Sequence, residues 1–311
     1  MNRAPDVVPR PSEAEGSIRI RLDIAYDGTN FAGWAIQPGF RTVQGELQAG
    51  LASILKRYPP GPWVHVAGRT DAGVHALGQV AHVDLSPEQA DGLVRPRQGI
   101  GVRPATLELA AELHHRLRGI LTNRPDIYVV SARRAAPGFD ARYSALWRRY
   151  EYRIADRLAL HDPLQRYRTT WYPHELDVDA MDAAAASLVG LHDFAAYCKR
   201  RPGATTIRTL QQFGWRRDAD GVLVAVVKAD AFCHSMVRSL VGACVAVGEG
   251  KLDPARLIDL RFEQERPSGD FNVMAPHGLS LLQVGYPEDA ELAMRAVETR
   301  ARRVHPDAFP G

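Results

Sequence analysis

The chain of 311 residues is poor in cysteine and contains no long apolar run. Its three cysteines, Cys198, Cys233 and Cys244, are odd in number and form no C-x-x-C pair, which argues against a disulfide framework and a structural zinc site. We interpret them as packing residues of a protein in a reducing compartment. Because the sequence lacks a span of about 20 apolar residues and an apolar segment near its start, we expect a cytoplasmic protein without a membrane span.

The sequence also lacks the short motifs by which many enzymes hold cofactors. It contains no dinucleotide-binding glycine fingerprint, no phosphate-binding Gly-Lys-Ser/Thr loop and no metal-ligand cluster among its 11 scattered histidines. His75 and His82 lie seven residues apart, on a predicted loop and strand, and we expect structural roles for them. We therefore expect neither a cofactor nor a metal.

Lysine is scarce as well, because the 39 basic residues comprise 35 Arg and 4 Lys. The formal net charge is only +3, but the arginines occur in neighbouring pairs, namely Arg133/Arg134, Arg148/Arg149, Arg200/Arg201 and Arg216/Arg217. The planar guanidinium group suits phosphate and stacks on bases. A coding bias that replaces Lys by Arg on solvated faces explains the composition equally well. Charge alone leaves both interpretations open.

The hydrophobic pattern predicts alternating strands and helices. Residues 18–26 alternate as a half-buried strand does, and Thr42 can cap a helix that ends before the proline-rich segment 59–62. Strands at 63–67 and 79–85, a helix within 106–121 and a strand at 127–132 complete a β-α-β-β-α-β order. The second half repeats this order with a strand at 147–154, a helix from Asp177 or Asp179 to Leu188, strands at 210–216 and 222–228, a helix within 235–247, a short helix after Pro254 and a last strand at 279–284.

We therefore predict an α+β fold of two ferredoxin-like halves, residues 17–145 and 146–288. They would form a largely antiparallel sheet with helices on one face and an RNA-binding cleft on the other, since RNA-binding modules of this topology stack bases on a free sheet face. Residues 1–16 are predicted to be a disordered tail, residues 289–311 a C-terminal tail or helix, and the Arg-, Gly- and Pro-rich stretch 91–104 a surface segment.

The segment Gly-Arg-Thr-Asp-Ala-Gly-Val-His at residues 68–75 lies between two predicted strands. Glycines at positions 68 and 73 and the small Ala72 would let a planar substrate approach Asp71 closely, and Arg69 could keep Asp71 ionised or orient it. An ionised carboxylate on such a loop suits a nucleophile or a base. An Asx-turn, with Asp71 bonded to nearby backbone amides, accounts for the same residues.

Several segments, taken in order, resemble the tRNA pseudouridine synthase A family over about residues 17–287. These segments are residues 68–75, Ala25-Tyr26-Asp27-Gly28-Thr29 with Phe31-Ala32-Gly33-Trp34, Thr42-Val43-Gln44, Phe139-Asp140-Ala141-Arg142-Tyr143-Ser144-Ala145, Arg148-Arg149-Tyr150-Glu151-Tyr152, His234-Ser235-Met236-Val237-Arg238 with Val241-Gly242, Gly278-Leu279 and Tyr286-Pro287. Independent matches in the same order are a specific signal.

The resemblance places the family's catalytic aspartate at Asp71, its motif arginine at Arg69, its active-site tyrosine at Tyr150 and its aspartate-pairing arginine at Arg238. Core packing would explain Tyr150 as well. Arg238 interrupts an apolar helix and needs either an anionic partner, for which Asp71 is the candidate, or a wet helix edge. Leu279 matches an apolar active-site residue of the family. We place further substrate contacts at Arg142, Arg149, Gln37 and His75.

The resemblance implies conversion of uridine to pseudouridine at positions 38 to 40 of tRNA, in the anticodon arm, by a homodimer. Asp71 would attack C6, attack the sugar C1′ or remove a sugar proton, and Tyr150 would stack on the base or act as a base with a lowered pKa. The family's Gly-Trp-Gln-x-Gln reads Gly-Trp-Ala-Ile-Gln at residues 33–37, so one polar side chain near the RNA is missing.

Two other functions are considered. One is a non-catalytic RNA-binding module. The other is an aspartate-nucleophile phosphohydrolase, suggested by Asp27-Gly28-Thr29, although Ala25 occupies the position that its nucleophile would need.

Overall fold

The structure is a computed structural model that describes residues 16–94, 108–199, 205–263 and 269–300. Its strands are β1 (Ile18–Tyr26), β2 (His65–Val66), β3 (His75–Leu85), β4 (Ile127–Arg134), β5 (Trp147–Ala155), β6 (Thr170–Trp171), β7 (Gly190–Asp193), β8 (Ile207–Arg217), β9 (Leu223–Ala229) and β10 (Leu279–Gly285). Its α-helices are α1 (Val43–Ile54), α2 (Pro87–Val94), α3 (Leu109–Leu121), α4 (Val178–Ser187), α5 (Met236–Gly248), α6 (Pro254–Asp259) and α7 (Leu292–Arg300). Among these residues, no helix combines the length and the apolar composition needed to cross a bilayer.

The strands form one mixed sheet in the order β4-β1-β3-β10-β5-β9-β8-β7, with β2 paired to β3 and β6 paired to β5. The pairs β3/β10 and β5/β6 are parallel, and the other pairs are antiparallel. The α+β class and the largely antiparallel sheet predicted from the sequence are thus confirmed. The β3/β10 pairing joins the first four strands to the rest of the sheet, and it begins where Ser280 lies opposite His75.

The local sequence signals account for the main elements. Ile20, Leu22 and Ile24 of β1 are fully buried, as the alternation predicts. Thr42 caps α1, because its hydroxyl accepts a hydrogen bond from the Gly45 N–H at 3.2 Å. For α4, the capping residue is Asp177 rather than Asp179, since the Asp177 carboxylate accepts the Ala180 N–H at 3.0 Å.

Several predicted elements differ in extent. The strand predicted at 63–67 shortens to β2, because the carbonyl of Val64 accepts a hydrogen bond from the Gln44 side chain instead of a strand partner. Strand β7 and helix α2 were not predicted, and α2 occupies the first residues of the stretch 91–104 that was predicted to be irregular. The rest of that stretch and almost all of the predicted tail at 1–16 lie outside the described residues. The predicted C-terminal tail or helix at 289–311 contains α7, and its last residues, 301–311, lie outside them.

The sheet register decides which face carries the cleft. Tyr26 lies opposite Ala76, Ala76 opposite Leu281, and Leu281 opposite Tyr150, so these side chains share one face. Residues of helices α1 and α5 line the same cleft as Tyr150. The cleft therefore lies between helices on the helix-bearing face, and the prediction that it occupies the opposite face is wrong. The pattern of alternation shows two faces of a strand but not which face the helices cover.

Candidate active site

The cleft has a volume of about 2270 Å³ and brings together most of the predicted site residues. Seven of them line it: Gln37, Arg69, Asp71, Arg142, Tyr150, Arg238 and Leu279. Asp71 and Arg69 come from the loop between β2 and β3, and Arg238 comes from the first turn of α5. Asp71 and Arg238 are therefore more than 160 residues apart in the sequence, but the fold places them side by side.

Buried hydrogen bonds between uncharged groups support the Asp71 loop on the side that faces the protein core. The Gln79 side-chain amide donates to the Tyr26 hydroxyl at 3.2 Å and to the Gly68 carbonyl at 2.9 Å. The Tyr26 hydroxyl lies 2.8 Å from the Thr70 hydroxyl, to which it is free to donate because it accepts from Gln79. Burial raises the pKa of Tyr26 to about 12, so this phenol stays neutral at physiological pH. Gln79, Tyr26 and Thr70, which we call the floor of the loop, therefore carry no charge.

The backbone, rather than the carboxylate, forms the turn at Asp71. The Val74 N–H donates to the Asp71 carbonyl at 3.2 Å, and the Gly73 N–H donates to the carbonyl of Phe31 at 3.3 Å. Gly73 has φ of 77°, a left-handed conformation that favours glycine. Both described partners of the Asp71 carboxylate are side chains from the C-terminal part of the chain. The Asx-turn interpretation is therefore not what the structure shows.

Arg238 and His234 face the Asp71 carboxylate from the start of α5. Arg238 Nη1 lies 3.5 Å from Asp71 Oδ2, and His234 Nε2 lies 3.5 Å from Asp71 Oδ1. Arg238 Nε donates to the Met274 carbonyl at 2.6 Å, which fixes the direction of the guanidinium group. The Asp71 side chain is 32% exposed, so the carboxylate remains open to a substrate in the cleft. The site thus combines an accessible carboxylate, the group that a nucleophile or base requires, with a cation directed at it.

The backbone around α5 is adapted to this arrangement. Ser235, between His234 and the helix, has φ of 63°, a left-handed conformation that costs energy for a residue other than glycine. Gly242 lies against the chain at Asn272, where an added Cβ would overlap the Asn272 carbonyl oxygen. This close approach brings the Met274 carbonyl within reach of Arg238.

Tyr150 and Leu279 supply an apolar wall beside Asp71. They are 7% and 5% exposed, and both line the cleft. The Phe232 ring meets the Tyr150 ring edge-on at a centroid distance of 5.2 Å. Burial raises the pKa of Tyr150 further above its usual value, and the neighbouring Tyr26 adds to this effect. The phenol therefore stays protonated, which favours packing against a base over proton abstraction.

The remaining predicted contacts divide into two groups. Arg69, Arg142 and Gln37 are exposed in the cleft, and Gln37 donates to the Ala32 carbonyl at 2.7 Å. The cation at Asp71 is Arg238, for which the sequence had suggested Asp71 as the partner. Within the described residues Arg69 forms no ion pair with Asp71, which corrects the suggestion that Arg69 holds the carboxylate. Arg69 is instead placed where a phosphate could reach it.

Arg149 and His75 do not take the predicted positions. Arg149 alternates with Tyr150 along β5 and points to the other face of the sheet; within the described residues it does not line the cleft. His75 is buried, and its Nε2 lies 2.9 Å from the His277 carbonyl, which can only accept. With Nε2 as the donor, the neutral ring leaves Nδ1 to accept the Gly28 N–H at 2.9 Å. Asp27 Oδ1, 3.0 Å from Nδ1, would need the doubly protonated ring.

Many of the paired arginines have structural partners. Arg217 forms two hydrogen bonds with the fully buried Asp156, at 2.8 and 2.9 Å, and Arg216 pairs with Asp218. Arg148 is buried and donates to the carbonyls of Ala67, Arg142 and Asp230 at 2.8 to 2.9 Å. Burial lowers the pKa of Arg148. Arg148 thus connects the segment before the Asp71 loop to the segments that lead into β5 and α5. Arg200 and Arg201 lie outside the described residues.

Three residues of this site escaped the sequence interpretation: His234, Gln79 and Arg148. His234 lies before the first turn of α5 and belongs to the motif segment 234–238, and that motif was the available signal. Gln79 was read as an ordinary strand residue and Arg148 as part of a basic surface. Their partners are distant in sequence, so no local pattern indicates them.

The cysteines also differ from the prediction, because the structure joins Cys198 and Cys233 in a disulfide. Their Cα atoms lie 5.8 Å apart, and Cys233 lines the cleft directly before His234. Counting and spacing along the chain could not reveal a pair that is 35 residues apart. Cys244 is a buried free thiol in α5, as expected of a packing residue.

Comparisons with known proteins identify the family of the chain. The family model described as tRNA pseudouridine synthase matches residues 184–287. A tRNA pseudouridine synthase A of Leifsonia xyli is 63% identical over 285 residues, which is 92% of this chain and 97% of the relative. Proteins of the same name from Streptomyces griseus and Frankia casuarinae are each 49% identical over 94% of this chain and 96% and 98% of their own lengths. The chain therefore belongs to the tRNA pseudouridine synthase A family.

Proposed function

We propose that this protein isomerises uridine to pseudouridine in tRNA, with Asp71 as the catalytic carboxylate. One observation carries the assignment of Asp71: its carboxylate is about one-third exposed in a large cleft and faces Arg238 and His234 rather than its own backbone. Family membership supports the isomerase activity on tRNA. A cleft of about 2270 Å³ exceeds the roughly 300 to 1000 Å³ of ordinary small-molecule sites, as a macromolecular substrate requires.

The reaction needs only what this site offers. The N1–C1′ bond of uridine breaks, the base turns, a bond forms between C5 and C1′, the C5 proton leaves and N1 gains a proton. Atoms and electrons balance without an oxidant or a water molecule. Addition of Asp71 to C6, its attack on C1′ and its removal of a sugar proton all begin from the carboxylate that Arg238 faces at 3.5 Å.

Tyr150 and Leu279 would hold the base while it is detached and turned. A uridine within a stem must be extruded to reach Asp71, and apolar or aromatic side chains commonly receive such a base. Because the pKa of Tyr150 is raised, we assign its ring to contact with the base and not to the final proton abstraction at C5.

The finer parts of the assignment are part of the proposal. The target lies in the anticodon arm, at positions 38 to 40, and a homodimer holds the tRNA. The halves are residues 17–145 and 146–288, each of ferredoxin-like topology, and the matching strand orders β4-β1-β3-β2 and β10-β5-β9-β8 support this division. Exposed Arg69, Arg142 and Gln37 contact the RNA beside the target base.

The alternatives have less support. In the phosphohydrolase interpretation, Asp27 would take part in phosphate chemistry, but its carboxylate accepts from the amide and hydroxyl of Thr29, at 3.0 and 2.6 Å, within a local turn. A non-catalytic RNA-binding module would not need a cation directed at Asp71.

The test compares Asp71→Asn and Asp71→Ala with Asp179→Asn, an exposed carboxylate on α4. Release of tritium from tRNA labelled at uridine C5 measures the rate, and chemical mapping locates the product. We expect loss of activity by at least about 10⁴-fold for both Asp71 variants with retained tRNA binding, and a normal rate for Asp179→Asn. Normal product from Asp71→Ala would refute the role of Asp71.

A further inference from the structure

Two exposed aromatic rings at the rim of the cleft have no partner in the described part of the chain. The exposed aromatic side chains there are Phe40, Trp63, Tyr128, Tyr167, Trp171 and Phe262. Three of them are covered within the chain: Arg118 lies 5.0 Å from the Tyr128 ring, Arg166 lies 4.0 Å from the Tyr167 ring, and His161 stacks on Trp171 at 4.8 Å. Of the other three, Phe40 and Trp63 line the cleft of Asp71, whereas Phe262 does not.

The degree of exposure of these two rings indicates a binding role. Phe40 is 66% exposed and Trp63 is 49% exposed. Rings so placed gain little from burial in the free protein, but they offer flat apolar surface to a ligand in the cleft. The segments that carry both rings are connected to the Asp71 loop. The segment of Phe40 is joined to it by the hydrogen bond from the Trp34 N–H to the Thr70 carbonyl, at 3.1 Å. Trp63 precedes Gly68, where the loop begins, by five residues.

A single buried side chain fixes the two segments that present the rings. Gln44 of α1 is 5% exposed. Its amide nitrogen donates to the Val64 carbonyl, next to Trp63, at 3.1 Å. Its amide oxygen accepts the Ile36 N–H, in the segment that leads to Phe40, at 3.3 Å. Gln44 therefore holds both ring-bearing segments in place before any ligand binds.

The segment that carries Phe40 is also fixed at its C-terminal end, next to Arg41. The Ala32 N–H donates to the Arg41 carbonyl at 2.9 Å, and the Phe40 N–H donates to the Gln37 carbonyl at 3.2 Å. Arg41 forms two hydrogen bonds with Asp126, at 2.5 and 2.9 Å, and one with Glu46 at 2.7 Å. The position of Phe40 is thus set by an anchored neighbour, which reduces the ordering cost of binding.

We propose that Phe40 and Trp63 form a stacking edge that binds unpaired nucleobases of the substrate RNA next to the uridine that Asp71 acts on. The inference rests on the proposed function and adds the means by which the enzyme holds bases that it does not modify. Arginines 69, 142 and 238 make the same cleft cationic, which complements the phosphates between such bases. Stacking tolerates any base, since every base presents a π-face.

The edge is tested by equilibrium binding of an RNA anticodon stem-loop to proteins that all carry Asp71→Asn, so that no turnover occurs. Phe40→Ala and Trp63→Ala are compared with Phe262→Ala and Trp171→Ala, which remove exposed rings outside the cleft. Trp63→Phe keeps a ring at the edge. We expect about a tenfold loss of affinity for each of the first two variants, no loss for the two controls and recovery with Trp63→Phe.

A second RNA set identifies the bound group. Abasic substitutions in the RNA loop should lower its affinity for the Asp71→Asn protein. At the position whose base stacks on Trp63, the abasic substitution should cause no further loss of affinity once Trp63→Ala is present. The stacking edge would be overturned if Phe40→Ala/Trp63→Ala bound the stem-loop with unchanged affinity. It would also be overturned if this double variant lost as much affinity for a fully paired duplex as for the stem-loop. Turnover by the unsubstituted enzyme is measured separately, so failure of the edge and failure of the proposed isomerisation remain distinguishable.

Discussion

The two parts of the molecule hold the candidate site in different ways. The N-terminal part supplies Asp71 on a backbone turn, supported by the uncharged side chains of Gln79, Tyr26 and Thr70. The C-terminal part supplies charged and apolar side chains, namely Arg238, His234, Tyr150 and Leu279. The difference indicates that the position of the carboxylate depends on one part, whereas the cation that faces it and the packing of the base depend on the other.

Apart from the loss of Asp71 itself, the largest effect should come from removing the cation that the C-terminal part contributes. We expect Arg238→Ala to lower kcat by about 10² to 10³-fold, because it removes a preorganised charge at the reacting carboxylate. Arg69→Ala should instead raise KM and reduce the salt dependence of tRNA binding by about one phosphate contact. Steady-state kinetics at several salt concentrations separate the two arginines.

The control for that pair is Arg216→Ala, an exposed arginine outside the cleft that should leave both constants unchanged. If Arg69→Ala rather than Arg238→Ala abolished kcat with KM unaltered, the assignment of the cation at Asp71 would be reversed.

The next effect concerns stability in the C-terminal part. The disulfide between Cys198 and Cys233 closes a segment with a sequence separation of 35. Its removal in Cys198→Ser/Cys233→Ser should lower the free energy of unfolding by about 3 to 4 kcal/mol, chiefly by freeing the unfolded chain. Urea unfolding with and without reductant measures it. The unsubstituted protein should respond to the reductant and the double variant should not, and a protein equally stable in both conditions would argue against the bond.

A smaller effect should follow from disturbing the floor of the Asp71 loop. Gln79→Leu leaves the Gly68 carbonyl and the Tyr26 hydroxyl without their donor, at a cost of about 1 to 3 kcal/mol in the free energy of unfolding. Because the loop backbone then shifts, kcat should also fall by about tenfold or more. Exposed Gln212→Leu is the matched control. A stable Gln79→Leu protein with normal kcat would show that the floor does not position Asp71.

The smallest effect is expected at the Tyr150 hydroxyl. Since burial raises the pKa of Tyr150 above its usual value near 10, the phenol is neutral throughout the assay range, and its charge gives no change in rate with pH there. Tyr150→Phe should therefore retain kcat within about threefold and leave the pH profile between about pH 6 and 9 unmoved. Tyr150→Ala, which removes the ring, should be far less active. Loss of the alkaline limb of the profile in Tyr150→Phe would restore the proton-abstraction role.

Much of the architecture followed from local sequence. The alternation in residues 18–26, the cap at Thr42 and the periodicity of α5 each describe contacts between residues that are close in the chain, so pattern and propensity suffice. The motif resemblance likewise identified the family and brought forward Asp71, Arg238, Tyr150 and Leu279.

Only the tertiary structure decided how these residues meet. The parallel pairing of β3 with β10 places the Asp71 loop beside the C-terminal strands, and the sheet register puts Tyr150 on the helix-bearing face with Arg149 on the other. The approach of Arg238 to Asp71, the burial of His75 and the joining of Cys198 to Cys233 share one cause. Each depends on a partner that is distant in sequence, and such a partner leaves no local periodicity by which it could be recognised.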